Sequence, residues 1–388
     1  MAAVVWDEAM LGYDLGGSHP LHPIRLDLTM RLARELGVLD GVPLISPTIA
    51  PDKELLRVHT AEYLAAVRAA PDLGENLPFG LGTSDNPVFD RMHEASALVV
   101  GGSLAAAEQI ASGAATRAVN IAGGLHHAMP GHAAGFCVYN DCSVAISWLL
   151  DNGFDRIAYV DIDVHHGDGV QAAFYSDPRV LTVSVHQHPY TLWPGTGQPS
   201  ELGEGDGHGT AVNLPLPRGT RDRQWLRAFH AVVPSVLRAF RPQLLVTQCG
   251  VDSHAEDPLA DLSLSVDGHR AAYHAFRDLA GELTEGRWLA LGGGGYSLFR
   301  VVPRSWTHLL ATVLDRDIDP RTPVPAGWIA HTAPLARDLA LPTAMGDGVD
   351  VAYEPWPGGG ADAVDAAILA TRRAALPLFG LDPDDHRD

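Results

Sequence analysis

Aspartate and histidine side chains cluster directly after an apolar run in the segment RIAYVDIDVHHGD. Asp163 and His165 lie two positions apart in it, so on an extended segment their side chains point to the same face. Other candidates are the adjacent pair His126 and His127 in GGLHHA, and Asp252 in CGVDSHAEDP. Carboxylates and imidazoles bind metals and carry protons, so these residues predict a metal site with acid–base groups beside it.

Asp163, His165 and Asp252 are the candidate metal ligands. Three protein ligands plus water is the pattern of a catalytic zinc site, because the fourth position stays open for chemistry. Iron(II), manganese and cobalt accept the same ligand types, so these residues leave the identity of the metal open. His254, two positions after Asp252, is an alternative third ligand.

The histidine pair suits proton transfer. A neutral imidazole that a carboxylate orients is a good general base, and Asp161 and Asp168 are the carboxylates available in the same segment. The alternative is that His126 and His127 only cap a strand end by hydrogen bonds to the backbone. His166, between these groups in the sequence, is expected to be structural.

An aromatic set completes the candidate site. Tyr296 follows a run of four glycines, which lets the backbone approach a ligand closely, and its phenol is suited to stabilise an oxyanion. A phosphate-binding loop is the alternative for this glycine run, but Lys and Ser or Thr do not follow it directly. Phe136 and Trp193 lie in glycine-containing loops after strands, which suits the walls of a narrow pocket, although both are also ordinary core residue types.

Short β-rich runs alternate with helical stretches from Ala118 onward, which predicts βαβ units and a parallel sheet covered on both faces. In such sheets the working groups lie at the carboxyl ends of strands, so the candidates should meet at one edge. The predicted strands are 118–122, 157–163, 180–185, 244–249 and 288–291. The predicted helices are 24–36, 53–69, one between Pro87 and Gly113, 141–151, 221–240, 266–285 and 361–374.

Composition limits the function classes. The chain of 388 residues has 27 basic and 47 acidic residues, and its net charge of −20 argues against nucleic-acid binding. We predict neither a membrane span nor a secretory signal, and three scattered cysteines do not form a disulfide framework, so we expect a cytoplasmic protein. We predict one domain over 1–388, with a motif-bearing core at about 19–316 and a segment, 317–388, that wraps or extends it.

Five segments resemble, in this order, the successive motifs of the class I histone deacetylase superfamily: GGLHHAMPGHAAGFCVYND, YVDIDVHHGDGVQAAFY, TVSVHQHPYTLWPGTG, QCGVDSHAEDPL and LGGGGYSLFRVVPRSWT. The similarity runs from about His19 to His308 and is greatest to the bacterial acetoin-utilisation deacetylases. It implies the arginase/deacetylase fold, a three-layer α/β/α domain with a central, mostly parallel eight-stranded sheet.

The resemblance also implies roles for individual residues. Zinc, or alternatively iron(II), would be bound by Asp163, His165 and Asp252. His127, paired with Asp168, would be the general base, and His126, paired with Asp161, its electrostatic partner. Tyr296 would polarise the acetyl carbonyl while the metal activates the attacking water.

Substrate and ion contacts are implied in the same way. Phe136 and Trp193 would sandwich the acyl-lysine stem, although the family more often has Phe or Tyr where this chain has Trp193. Asp85 would hold the substrate backbone, and Leu259 would lie at the pocket mouth. A structural potassium ion would be bound at Asp161, Asp163 and Ser184.

The function that these features predict is hydrolysis of acetyl-lysine amides in proteins, with acetyl-CoA synthetase as one candidate substrate. The main alternative is a deacetylase of acetylpolyamines or other small amides. A ureohydrolase of the same fold would need a D-x-D motif where Asp252-Ser253-His254 stands. A non-enzymatic acetyl-lysine reader would lack catalytic groups, whereas both histidines and Tyr296 are present.

Overall fold

A parallel β-sheet forms the centre of the protein, for which a computed structural model describes residues 1–385. Within these residues the sheet has eight strands in the order β2-β1-β3-β8-β7-β4-β5-β6, and every neighbouring pair is parallel. The prediction of a mostly parallel eight-stranded sheet is therefore confirmed. The strands are β1 Ala2–Val5, β2 Leu44–Ile45, β3 Arg117–Asn120, β4 Ile157–Asp161, β5 Val180–Gln187, β6 Ala211–Leu216, β7 Leu244–Gln248 and β8 Trp288–Leu291.

Helices connect the strands and cover the sheet. They are α1 Ile24–Glu35, α2 Asp52–Leu55, α3 Ala61–Leu73, α4 Met92–Ala111, α5 Asp141–Asp151, α6 Asp168–Phe174, α7 Asp222–Phe240, α8 Val266–Leu283, α9 Val302–Val313, α10 Ala326–Ala336 and α11 Ala363–Ala375. No helix among residues 1–385 combines the length and apolar character that a bilayer crossing needs.

The two faces of the sheet are both buried, which gives the three-layer α/β/α arrangement that the sequence predicts. In β4, Ala158 and Val160 pack into an apolar cluster with residues of α1, α7, α8 and α9. Ile157 and Tyr159, which point to the other face, pack into a second cluster with residues of α4 and α5. Continuous apolar runs such as β4 are the sequence signature of strands buried on both sides.

The single helix predicted over 53–69 is wrong, because the structure divides this segment into α2 and α3. The side chain of Thr60 accepts a hydrogen bond of 3.2 Å from the Tyr63 N–H and thereby starts α3. His59, just before it, is buried and accepts the Asn140 N–H at 3.0 Å. The break therefore places a buried imidazole against a distant loop, which a periodic pattern does not reveal.

Six of the strands and helices named above were not predicted from the sequence, namely β1, β2, β6, α6, α9 and α10. β2 has only two residues, and β6 contains Pro215, which removes a backbone donor and is tolerated because β6 is an edge strand. Strands β3, β4 and β7 end one or two residues earlier than predicted, at Asn120, Asp161 and Gln248, so the residues that follow form loops at the sheet edge.

The C-terminal segment packs onto the outside of the layers. The indole N–H of Trp328 in α10 donates to the Leu28 carbonyl of α1 at 2.9 Å. The hydroxyl of Thr371 in α11 donates to the Asn213 carbonyl of β6 at 2.8 Å. The single-domain assignment of 1–388 stays a prediction, and its final residues, 386–388, lie outside the described residues.

Candidate active site

Four neighbouring strands bring the candidate residues to one edge of the sheet. Because β3, β8, β7 and β4 are adjacent in that order, the loops that follow them converge although they are far apart in sequence. These loops carry His126 and His127 after β3, Asp163 and His165 after β4, Asp252 after β7, and Tyr296 after β8.

Asp163, His165 and Asp252 form a buried group with ligand atoms directed at one another. His165 Nδ1 lies 3.0 Å from Asp163 Oδ1 and 3.2 Å from Asp252 Oδ2. Ligand atoms about 2.0–2.1 Å from a tetrahedral ion are roughly 3.3 Å from each other, so the spacing fits a single divalent cation. The two carboxylates are 1% and 0% exposed. The group is therefore suited to a metal ion, as the sequence predicts.

Backbone and amide donors orient the two carboxylates. Asp163 Oδ2 accepts hydrogen bonds from Gln248 Nε2 and from the Gly294 N–H, both at 2.8 Å. Asp252 Oδ1 accepts the Val164 N–H at 2.9 Å. A Cβ atom at position 294 would lie only 2.0 Å from Asp252 Oδ2, so this glycine is required by close packing. Because these donors bind Asp163 Oδ2 and Asp252 Oδ1, the other two oxygens, Asp163 Oδ1 and Asp252 Oδ2, face His165.

Charge repulsion within the group also favours a cation. Burial, and then the negative charge of Asp163, raise the pKa of Asp252 to about 6. His254, the alternative third ligand, is directed elsewhere: its Nδ1 accepts the Glu256 N–H at 3.0 Å and its Nε2 lies 3.0 Å from Asp347 Oδ2. Both ring nitrogens are therefore engaged away from Asp163 and His165.

Two His–Asp pairs border the metal-ligand group. His126 Nδ1 lies 2.7 Å from Asp161 Oδ2, and His127 Nδ1 lies 2.6 Å from Asp168 Oδ1. The two imidazole rings are 3.9 Å apart between centroids. Each Nδ1 is thus occupied by a carboxylate, which leaves each Nε2 for other partners.

The two histidines differ in their protonation. Burial opposes a charge on His126, but the negative charges of Asp161 and Asp163 outweigh it and raise its pKa to about 9. Burial, and then the charge of His126, lower the pKa of His127 to about 4. At neutral pH His127 is therefore the imidazole that can accept a proton.

Asp161 lies where β4 meets β5. Its Oδ2 also accepts the hydroxyl of Tyr159 at 2.6 Å, a contact that the sequence does not indicate. The β4–β5 register places Asp161 beside Ser184, whose hydroxyl lies 2.9 Å from His186 Nδ1. The structure thus brings the predicted potassium-site residues Asp161 and Ser184 side by side.

Two further histidines belong to this region without facing the metal-ligand group. His166 is buried, with Nδ1 2.8 Å from Thr196 Oγ1 and Nε2 3.1 Å from Gln171 Oε1. These contacts agree with the structural role expected for it. His186 is buried inside β5.

Tyr296 is connected to both the metal-ligand group and the pocket wall. Burial, and then the charges of Asp252 and Asp163, raise the pKa of its phenol well above 10, so the phenol keeps its proton. The Tyr296 N–H donates to Asp257 Oδ2 at 2.8 Å, and its ring packs edge-on against Phe136 at 5.5 Å. It is therefore a proton donor at a fixed position.

Phe136 and Trp193 pack against different aromatic rings of the candidate site. Phe136 packs against His19, with ring centroids 4.4 Å apart, as well as against Tyr296. The Trp193 ring lies 4.6 Å from that of His127 and remains 47% exposed. Their placement agrees with the predicted pocket walls.

Asp85 and Leu259 are each held by a hydrogen bond between a backbone N–H and a carboxylate. Asp85 Oδ2 accepts the Gly135 N–H at 2.9 Å, next to the Phe136 wall. The Leu259 N–H donates to Asp257 Oδ1 at 3.0 Å, so the residue predicted at the pocket mouth shares a carboxylate with Tyr296. Both residues are only partly buried, which leaves them accessible to a substrate.

Gln248, Asp257 and Arg25 were missed by the sequence analysis. Gln248 and Asp257 flank Asp252 in QCGVDSHAEDP, so the motif was available as a signal. Arg25 Nη1 donates to the carbonyls of Gly293 and Gly295 at 2.9 and 3.1 Å. Nothing in its own segment indicates this contact, because α1 approaches the glycine run only in the folded chain.

The site combines a buried Asp–His–Asp group with two His–Asp pairs at the edge of a parallel α/β sheet. This combination is typical of a class of hydrolases, and comparison with known proteins gives the same class. Residues 19–313 match the histone deacetylase domain family. The chain therefore belongs to that family and is a deacetylase.

Individual relatives show that, within this family, the chain is similar to the acetoin-utilisation type. It is 40% identical to the acetoin utilization protein AcuC of Bacillus subtilis over 87% of this chain and 88% of the relative. The corresponding protein of Staphylococcus xylosus is 38% identical over 88% and 90%. A crystal structure of an HDAC homolog from Aquifex aeolicus superposes with a TM-score of 0.74 at 33% identity, covering 82% of this chain and 86% of that one. The predicted arginase/deacetylase fold is confirmed.

Proposed function

We propose that the protein hydrolyses acetyl-lysine amides in proteins by a metal-dependent mechanism. The observation that carries the proposal is the convergence of Asp163, His165 and Asp252 with two His–Asp pairs and Tyr296 at one edge of the sheet. Every group needed to bind a cation, move a proton and stabilise an oxyanion lies there.

Zinc is the metal that we propose for Asp163, His165 and Asp252, with iron(II) as the alternative. Their two carboxylate oxygens and one imidazole nitrogen match the open three-ligand sets of catalytic sites. A bound divalent cation would supply Lewis acidity to the amide carbonyl and lower the pKa of a coordinated water. Elemental analysis of the purified protein, with activity measured after reconstitution by each metal, tests this assignment.

Three side chains, His127, His126 and Tyr296, would each have a separate role in proton transfer or charge stabilisation. His127 is neutral, is oriented through Nδ1 by Asp168, and offers Nε2 to take a proton from the attacking water. His126, whose positive charge is favoured by Asp161, would stabilise negative charge nearby. The Tyr296 phenol would donate a hydrogen bond to the oxyanion before the amine leaves protonated.

The entrance supports an extended, uncharged lysine stem as the substrate. Phe136 and Trp193 offer aromatic faces on either side, and Asp85 offers a carboxylate to substrate N–H groups. Acetyl-CoA synthetase is one substrate that we propose, because the relatives are named for acetoin utilization. Mass spectrometry of acetylated acetyl-CoA synthetase before and after incubation with the protein tests it.

A deacetylase of acetylpolyamines or other small amides is the second candidate, because the net charge of −20 also suits cationic diamines. Leu259 at the mouth favours the lysine substrate, since an apolar side chain does not attract a second amine. The test compares kcat/KM for an acetyl-lysine peptide and for N-acetylputrescine. A strong preference for the diamine would overturn the protein-lysine proposal.

We further propose a structural potassium ion at Asp161, Asp163 and Ser184, a single domain over 1–388, and a cytoplasmic location. The β4–β5 pairing of Asp161 with Ser184 supports the ion site. Free, buried cysteines at positions 137, 142 and 249 suit a reducing compartment. A melting temperature that rises with potassium chloride but not with lithium chloride at equal ionic strength would support the ion.

A further inference from the structure

We propose that Asp257 is a positioning residue that holds Tyr296 in its catalytic place and couples it to the pocket mouth. This inference rests on the proposed function, in which the Tyr296 phenol stabilises the oxyanion. Asp257 itself is 7% exposed and its carboxylate oxygens contact backbone N–H groups, so it acts through Tyr296 rather than by touching the substrate.

The peptide group between Gly295 and Tyr296 is held at both of its polar atoms. Its N–H donates to Asp257 Oδ2 at 2.8 Å, and its carbonyl accepts Arg25 Nη1 at 3.1 Å. A buried carboxyl group and a buried guanidinium cation therefore fix the same peptide plane from its two ends. Hydrogen bonds to charged partners are roughly twice as strong as neutral ones, so this arrangement resists rotation of the peptide.

The chain needs such a restraint at this position. Gly293 and Gly295 adopt φ values of 148° and 146°, a conformation open to glycine but rarely to other residues. A backbone built from glycines has the freedom to rotate, and a small rotation at Tyr296 moves the distant phenol oxygen further. Because a displacement of about 1 Å costs about 100-fold in rate, the clamp is needed for catalysis.

The second oxygen of Asp257 extends the restraint to the pocket mouth. Asp257 Oδ1 accepts the Leu259 N–H at 3.0 Å, while the Asp257 N–H donates to the His254 carbonyl at 2.9 Å. One carboxyl group thus sets the position of the mouth residue relative to the phenol. Substrate contacts at Leu259 are consequently transmitted to Tyr296 through two hydrogen bonds.

Asparagine cannot replace this group. Burial, and then the charge of Asp252, raise the pKa of Asp257 to about 8, whereas the hydrogen bonds from the Leu259 and Tyr296 N–H groups lower it. Each of its two oxygens accepts one of these N–H groups. The amide of asparagine has one oxygen and one NH₂ group, so one of the two N–H donors, from Tyr296 or Leu259, would face another donor. Asp257→Asn therefore breaks the clamp without changing side-chain volume.

The experiment is a double-mutant cycle between Asp257→Asn and Tyr296→Phe. We expect Asp257→Asn to lower kcat about 10- to 100-fold while its metal content stays near that of the wild type. In the Tyr296→Phe background it should lower kcat less than twofold further, because the phenol it positions is already gone. Glu256→Gln, the same chemical change one residue earlier on the exposed Arg300 pair, is the matched control and should leave kcat unchanged.

Independent losses that multiply in the double mutant would overturn the proposal, as would an unchanged kcat in Asp257→Asn. If Asp257→Asn does not fold, Asp257→Glu keeps the carboxyl group but displaces its oxygens, and an unchanged kcat in that variant would also overturn the proposal. Hydrogen–deuterium exchange at the Tyr296 N–H should be faster in Asp257→Asn than in Glu256→Gln. This readout needs no turnover, so it judges the clamp even if the wild type hydrolyses no acetyl-lysine substrate and the proposed function fails.

Discussion

The pairs His126–Asp161 and His127–Asp168 have the same residue types and similar contact geometry, but their histidines differ in protonation. Their hydrogen-bonding distances are 2.7 and 2.6 Å. The pKa of His126 is nevertheless raised to about 9, whereas that of His127 is lowered to about 4. An adjacent carboxylate therefore does not determine by itself whether a buried imidazole is charged.

The difference comes from the neighbours beyond each pair. His126 Nε2 also lies 3.9 Å from Asp163 Oδ2, so a second carboxylate acts on it. His127 packs against the ring of His126 and faces the ring of His165 at 5.7 Å, so its neighbours are cationic or neutral. The positive charge of His126 therefore disfavours a second positive charge on His127. This difference suits the two residues to different tasks.

The largest effect should follow from removing Asp252, one of the three candidate metal ligands. Asp252→Ala should lose bound metal and all measurable turnover, because the remaining Asp163 and His165 are too few for tight binding. Elemental analysis and an acetyl-lysine peptide assay measure both. His254→Gln is the control and should keep its metal; unchanged metal content in Asp252→Ala would mean that another group is the third ligand.

Replacing His126 and His127 with alanine, one at a time, tests the proposed difference between the two His–Asp pairs. We expect His127→Ala to lower kcat by about 10³- to 10⁴-fold, the contribution of a general base, and His126→Ala by about 10- to 100-fold. The assay is steady-state turnover at saturating peptide with metal content verified. If His126→Ala is the more damaging variant, the assignment of the general base is reversed.

Replacing the aspartate of each pair with asparagine should have a smaller effect on kcat that is more specific to each pair. Asp168→Asn should lower kcat about 100-fold, because Asp168 orients His127 through Nδ1. Asp161→Asn should lower it only about tenfold, since Asp161 acts on the neighbour of the base. Equal effects of the two isosteric changes would show that the pairs are not functionally distinct.

His59, a buried histidine whose hydrogen bonds are to backbone groups, extends the comparison to stability. Burial lowers the pKa of His59 to about 4, and its ring nitrogens form hydrogen bonds with the Met129 carbonyl and the Asn140 N–H. The unfolded chain takes up this proton near pH 6.5 and the folded chain only near pH 4, so stability contributed by His59 falls as pH falls through that window.

At pH 5 this amounts to about 2 kcal/mol relative to pH 7. The measurement is the free energy of unfolding by urea at both pH values for the wild type and His59→Gln. The variant should be less stable at pH 7 but should lose less stability on acidification. The same loss in both proteins would mean that His59 titrates normally in the folded state.

Much of the central sheet and the outline of the site follow from local sequence. The apolar run of β4 and the polar residues that follow it predict both the strand and the sheet edge, and the prediction of helix 141–151 is matched by α5. Short or edge strands such as β2 and β6 carry no comparable signal, because pairing with a neighbour stabilises them rather than their own residues.

The supporting residues of the site were harder to predict than the polar residues at its centre. His126 and Asp163 stand out because their chemistry is unusual after an apolar run. Arg25, Gln248 and Asp257 act on backbone groups or on other side chains, so their roles depend on which segments the fold brings together. The different protonation of the two histidines likewise depends on distances that no local pattern contains.

The strand order has a consequence for synthesis of the chain. β3, which precedes the histidine pair, lies beside β8, and the register pairs Asn120 with Leu291. A ribosome releases β3 and β4 long before β7 and β8, which complete the sheet between them. The complete site, with Tyr296 after β8, therefore forms only once nearly 300 residues have emerged. A cation at Asp163, His165 and Asp252 would consequently stabilise the finished molecule and not a partial chain that lacks β7.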